Sequence, residues 1–125
     1  YAAVFVANGG GAIYLATDSA IVIDEIFKYW PERVTSHIVL QPEVEAMTRD
    51  ETAAFDLGVS HHRGNVEALT DALVLSKCTY LLHGFSALSE AAIYLSPHLA
   101  ERSVNLEYWG DAPTVDDFVN RILPL

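Results

Sequence analysis

One cysteine, Cys78, stands in a chain of 125 residues. A lone cysteine excludes an internal disulfide and any cysteine-based metal motif. It falls near the end of a predicted helix among apolar residues, where a buried structural thiol is the expected reading. Cations are scarce as well. Seven Lys and Arg stand against seventeen Asp and Glu, a formal net charge of −10. Phosphate backbones are bound by clustered Lys and Arg, so this balance argues against nucleic acid as a partner. It argues equally against anionic membrane surfaces. A small phosphorylated ligand is not excluded, because backbone N–H groups at a helix start can hold one. No apolar run approaches the roughly 20 residues that span a bilayer. The histidine pair of a zinc helix, four residues apart, is missing. Internal repeats and low-complexity segments are absent too.

What is present is apolar: 51% of the residues are hydrophobic. That composition excludes a disordered chain, and the length suits one domain with a real core. The chain opens on Tyr1 rather than Met, which reads as a segment of a longer protein or a mature product. Tyr1 to Ala7 reads as the tail of a helix, broken by Asn8-Gly9-Gly10-Gly11. These glycines precede a strand, whereas a phosphate loop follows one, so they read as a connector. Ile13 to Thr17 reads as a short buried strand. Asp18 or Ser19 then caps a helix. Its apolar side is Ile23, Ile26, Phe27 and Trp30, and Pro31 stops it. Ile38 to Leu40 is a second candidate strand.

Glu43 to Gly64 is polar and irregular, and reads as a long surface loop with a helical turn near Glu51 to Phe55. Such loops are uncommon and often functional. Val66 to Cys78 reads as a helix apolar nearly all round, both faces covered, with Asp71 among apolar neighbours. Thr79 to His83 is a strand, Ser86 to Leu95 a helix, and Ser103 to Leu106 a strand. Thr114 caps a last helix with an apolar stripe of Val115, Phe118, Val119 and Ile122, closed by Pro124. Strands alternating with helices across short connections predict an α/β fold. The expected architecture is one Rossmann-like domain over residues 1–125, a mostly parallel sheet with helices on both faces and right-handed crossovers.

Open sheets of this kind gather ligands where strands end. Asp71 is the first candidate, since an acid inside an apolar helix must be paired or face a crevice. A carboxylate can accept two parallel hydrogen bonds from the N1–H and 2-amino group of guanine; adenine and uracil offer no such pair. The bland alternative is an acid in the helix's first turns, favoured by its positive end. Ser86 lies just after a strand and Gly84, at a helix mouth, where the N–H groups of Ala87 and Leu88 point with its hydroxyl towards an anion. A plain N-cap explains Ser86 equally well. Gly84-Phe85-Ser86-Ala87-Leu88 also approaches a nucleophile elbow but lacks its last Gly. The downstream acid and histidine, Glu90 and His98, come too soon for a hydrolase. Asp18 stands at a strand's carboxyl end, where helix capping is the alternative. His83, also at a strand end, is the one histidine placed near the crevice. His61 and His62 read as loop histidines.

Asp71-Ala72-Leu73-Val74-Leu75-Ser76-Lys77-Cys78, with Leu81-Leu82-His83-Gly84-Phe85-Ser86-Ala87-Leu88-Ser89-Glu90-Ala91-Ala92 after it, resembles the C-terminal donor-binding half of a fucosyltransferase superfamily. Its members are the nodulation α-1,6-fucosyltransferases and the protein O-fucosyltransferases. Ile13-Tyr14-Leu15-Ala16-Thr17-Asp18 resembles an earlier motif of that superfamily, and the likeness runs in order to about Trp109.

The resemblance implies one half of a GT-B enzyme, which transfers fucose from GDP-fucose to a glycan or protein acceptor with inversion and without a metal ion or other cofactor. Asp71 would take the guanine edge. Ser86, with Ala87, would meet the β-phosphate, and Asp18 would lie near the donor sugar or the cleft. The superfamily's motif of His and paired arginines belongs to an earlier part of the chain and is absent here. Ser19 stands where many relatives have a second acid, and Ser96-Pro97 where they often have Asn-Pro. This piece alone is therefore expected to be inactive, with no catalytic residue of its own, and to work with the N-terminal half of the same enzyme. The competing reading is a non-catalytic nucleotide- or sugar-binding module of the same fold. The compartment stays open: the secretory pathway or Golgi in a eukaryote, the cytoplasm in a bacterium.

Overall fold

The computed structural model describes residues 1–108 and 114–122. They fall into two compact units: Gly11–Asp71, and Tyr1–Gly10 together with Ala72–Leu125. The described strands form two separate two-stranded sheets, and each pair is parallel.

In the unit Gly11–Asp71, strand β1 (Ile13–Tyr14) is followed by helix α2 (Ala20–Tyr29), a single helical turn α3 (Glu32–Thr35) and strand β2 (Ile38–Val39); α1 precedes them in the chain and is given below. Ile13 pairs with Ile38 and Tyr14 with Val39. The amides of Ile13 and Leu15 donate to the carbonyls of His37 and Val39 at 2.8 and 3.0 Å. Pairing ends there, short of the predicted Thr17. Ser19, not Asp18, is the cap of α2: its side chain accepts from the Val22 amide. Pro31, with its extended ψ, separates α2 from α3. Ala20, Ile26 and Val34 are buried, while Phe27 and Trp30 are exposed. The buried stripe of α2 is therefore narrower than its periodicity suggested.

The long loop shortens at both ends. Ser19 and Thr48 form a parallel bridge in which the Thr48 amide donates to Asp18 O at 2.6 Å and the Ala20 amide to Thr48 O at 2.8 Å. A 3₁₀ turn occupies Ala54–Asp56. Helix α4 (His61–Ser76) begins five residues before the expected Val66. Ser60 explains this. Its hydroxyl accepts from the Arg63 amide at 3.1 Å and its carbonyl from Gly64 at 3.0 Å, as an N-cap does. Gly64 is carried inside the helix, where glycine is costly but tolerated. His61 and His62 thus belong to a first helical turn rather than a loop. Val66, Leu69 and Leu73 are exposed, so α4 is not covered on both faces.

In the other unit, strand β3 (Leu81–His83) leads through helix α5 (Ala87–Leu95) and a 3₁₀ turn, Pro97–Ala100, to strand β4 (Ser103–Asn105). Leu81 pairs with Ser103, Leu82 with Val104 and His83 with Asn105. Helix α1 (Ala2–Ala7) and helix α6 (Val115–Ile122) complete it. Thr114 caps α6, its hydroxyl accepting from the Asp117 amide at 3.2 Å. The core is built from Leu81, Val104, Ala92, Leu99 and Phe118. Phe118, 2% exposed, meets the ring of Tyr1 edge-on at 4.4 Å and that of Tyr80 at 5.4 Å. Cys78 is half-buried, and burial pushes its thiol above the ordinary value, which suits an inert structural role. Trp109 and the closing Pro124 lie outside the described residues, as do the side chains of Val115 and Ile122.

Candidate functional site

Arg63, Glu67 and Asp71 recur at four-residue intervals on α4 and so share one face. Glu67 is 4% exposed, yet fully satisfied. Its Oε1 accepts from the Glu45 amide at 2.8 Å and from Arg63 Nε at 2.7 Å; its Oε2 accepts from the Ala46 amide at 2.9 Å. Arg63 Nη2 donates onward to the carbonyl of Glu43 at 2.7 Å. Glu43 has φ +57°, a left-handed conformation unusual for a residue with a Cβ. The two α4 side chains thus pin a segment whose backbone amides turn inward on a carboxylate. Burial pushes Glu67 up, but hydrogen bonds from Glu45, Arg63 and Ala46 outweigh it and hold the carboxyl below its ordinary value.

Asp71, one turn on, is half-buried. Its Oδ1 accepts from the Tyr14 hydroxyl at 2.6 Å. With its amide turned so that nitrogen faces these acceptors, Gln41 donates to the same Oδ1 at 2.8 Å and to the Glu67 carbonyl at 3.1 Å. Among the described residues no hydrogen bond reaches Oδ2. Burial raises the Asp71 carboxyl, the Tyr14 hydrogen bond opposes this, and the negative charge of Glu67 adds to the rise. Strand β1 supplies Tyr14, the segment after β2 supplies Gln41, and α4 supplies the acid. The arrangement leaves one carboxylate oxygen able to accept donors from a ligand. Sequence reasoning missed Glu67, Gln41 and Tyr14. The spacing of Arg63, Glu67 and Asp71 was the signal that could have found Glu67.

In the other unit, His83 ends β3 and is half-buried. Its Nδ1 lies 2.9 Å from Gly84 O, which can only accept, so Nδ1 donates there. Ser86 is the N-cap of α5, its hydroxyl accepting from the Leu88 amide at 3.2 Å. Ala87 is the first residue of that helix, with an amide that the helix cannot pair. The turn between them already holds a carboxylate: the Phe85 amide donates to Glu107 Oε1 at 2.7 Å. A Cβ at position 84 would meet that same carboxylate and make the Glu107 side chain shift. No histidine hydrogen-bonds Ser86 among the described residues, and a serine nucleophile has no base.

Asp18 is exposed, and its carbonyl serves the bridge to Thr48. No hydrogen bond joins it to Asp71 among the described residues. Of the predicted site residues, Asp18 and Asp71 belong to one unit, and His83, Ser86 and Ala87 to the other. Among the described residues no group of three or more His, Cys, Asp or Glu is placed to hold a metal ion, and no helix is long and apolar enough to cross a membrane. No family model matches the chain, and neither a curated protein nor a solved structure matches it.

Proposed function

We propose that this chain is the donor-binding half of a GDP-fucose-dependent fucosyltransferase, acting with an N-terminal half on a glycan or protein acceptor. The observation that carries the reading is Asp71, a half-buried carboxylate with Oδ1 engaged by Tyr14 and no hydrogen bond to Oδ2 among the described residues. Guanine's N1–H and 2-amino group are donors, and they suit that oxygen. The second donor would take the place of the Gln41 amide at Oδ1. The resemblance assigns the β-phosphate to Ser86 and Ala87, which belong to the other unit, and the donor reading rests on Asp71 alone. A phosphate there competes with Glu107 for the turn. In the reaction the bond between fucose C1 and the β-phosphate oxygen breaks, and the acceptor hydroxyl oxygen bonds to C1 from the opposite face. The hydroxyl proton leaves to a base, and GDP departs with the electron pair. The charge of that leaving group falls to backbone donors here and to cations of the other half.

A second reading is a non-catalytic sugar-binding module, and the Glu107 carboxylate at the turn favours it. Calorimetric titration of GDP, ADP and UDP separates the two. The donor-binding reading expects a preference for GDP that disappears in Asp71→Asn, a change that keeps an oxygen for Tyr14 but replaces Oδ2 with a donor. Losing such a charge-assisted contact costs on the order of 1.5–3 kcal/mol. Equal binding of all three nucleotides, unaltered by the substitution, sinks the donor assignment.

A further inference from the structure

Two aromatic rings stand out in solvent at the carboxyl ends of β3 and β4. Phe85 is 63% exposed and Tyr108 is 54% exposed. They meet edge to face, with ring centroids 5.0 Å apart and planes at 80°. Their backbones are held separately, Phe85 by the Glu107 side chain and Tyr108 by the Asn105 carbonyl. Glu107 Oε1 accepts from the Phe85 amide at 2.7 Å, passing over Gly84. The Glu107 amide in turn donates to Asn105 Oδ1 at 3.0 Å, and the Tyr108 amide to Asn105 O at 3.3 Å. The pair is therefore fixed in advance, and a ligand stacking on it orders little further. Its place, beyond the ends of two parallel strands, is where open α/β folds receive ligands.

Charge narrows the class of ligand. The charged group built into the platform is a carboxylate, Glu107. The basic residue of the neighbouring strand, Arg102, sits at the opposite end of β4, its carbonyl paired with Leu81. An anion here meets the Glu107 charge, and among the described residues no Lys or Arg hydrogen-bonds the platform. A purely apolar side chain would cover the rings but strip water from Glu107 without replacing it. A neutral ring sugar meets both demands, with its C–H face on an aromatic ring and its hydroxyls donating to the carboxylate. We propose that Phe85, Tyr108 and Glu107 form a binding platform for a neutral pyranoside, separate from the nucleotide contacts assigned to Asp71. The assignment does not depend on the donor reading of Asp71, and it competes with the β-phosphate contact that the resemblance gives to Ser86 and Ala87, because Glu107 already occupies that turn. Glu107 is a positioning residue for Phe85 as well as a hydroxyl acceptor.

The test is an NMR titration of the isotopically labelled protein with neutral methyl pyranosides, and in parallel with inorganic phosphate and GMP. At least one glycoside is expected to move the ring signals of Phe85 and Tyr108 and the amides of Phe85 and Glu107. Phe85→Ala, an exposed change checked by an unaltered remaining spectrum, is expected to weaken that binding by about tenfold. Glu107→Ala is expected to weaken it and also to release the Phe85 amide to solvent exchange, whereas Glu107→Gln keeps that amide protected. Silence of the platform towards every glycoside overturns the proposal. So does a response to phosphate or GMP in place of the glycosides, or one that survives Phe85→Ala. Failure of the donor reading is seen elsewhere, in the signals of Asp71 and Tyr14 under GDP.

Discussion

Replacing Glu67 by Gln tests the buried clamp of α4 directly. The wild-type carboxylate presents two oxygens to three donors: Glu45 N and Arg63 Nε at Oε1, Ala46 N at Oε2. Glutamine offers one oxygen and one NH₂. Whichever way the amide turns, a donor faces a donor, and at least one backbone N–H of the 45–46 pair loses its acceptor. Hydrogen bonds to a charged group contribute about 1.5–3 kcal/mol each, and orphaning a buried donor costs about 1–3 kcal/mol. Arg63 keeps 41% of its side chain exposed, so the ion pair itself adds little to this. An expected loss of about 3 kcal/mol follows, a large part of the roughly 5–15 kcal/mol that holds a domain together. Urea unfolding measures it, and amide hydrogen exchange at Glu45 and Ala46 localises it. A loss below about 0.5 kcal/mol, the scale of an ordinary surface change, would refute the reasoning, as would unchanged protection of both amides. The sign with pH is fixed. The folded carboxyl lies below its ordinary value of 4.5, so its stabilisation is complete above that value and is lost as pH falls through the folded pKa. Glu67→Gln should therefore lie closest to the wild type in acid and furthest from it near neutrality.

Asp71 has the opposite sign. Its carboxyl is raised above 3.8, so ionisation opposes folding once pH climbs through the folded value; Asp71→Asn is expected to raise the melting temperature near neutrality and lose that gain in acid, as read from thermal unfolding across pH. Phe118→Ala removes the ring that Tyr1 and Tyr80 close upon. Chemical denaturation should show a loss of about 3–5 kcal/mol, and near-UV circular dichroism a weaker aromatic signal.

Much of the fold was legible because local rules and packing agreed. Alternating strands and helices predicted parallel pairing, and both observed pairs are parallel. Ser19, Ser86 and Thr114 act as caps because short polar side chains at a helix start meet orphan amides. The start of α4 was misread because Gly64 and two histidines look like loop, whereas the cap Ser60 outweighs the propensity cost of one glycine. The division into two units was not legible. Local pattern carries no information on which segments cluster, and the boundary falls inside α4, between Asp71 and Ala72. Phe85 and Tyr108 were not legible as a pair for a related reason: they are 23 positions apart in the chain, and the parallel pairing of β3 with β4 brings them together.

Two carboxylates on successive turns of one helix have been pushed in opposite directions, and the difference separates their roles. Glu67 has all its acceptor capacity turned inward, onto amides and Arg63. Its ionised form is what the fold requires, and a group so committed has nothing to offer a ligand. Asp71 is engaged through a single oxygen, and burial together with the charge of Glu67 makes its ionised form uncomfortable. A ligand that brings hydrogen-bond donors relieves that discomfort, because it stabilises the charge that the fold alone stabilises poorly. Binding and ionisation of Asp71 are then linked: the ligand lowers the carboxyl's pKa, and raising the pH strengthens binding. Stability at low ionisation and affinity at high ionisation pull against each other in one side chain. On the proposed donor reading, that opposition is what a group kept for ligand contact would show.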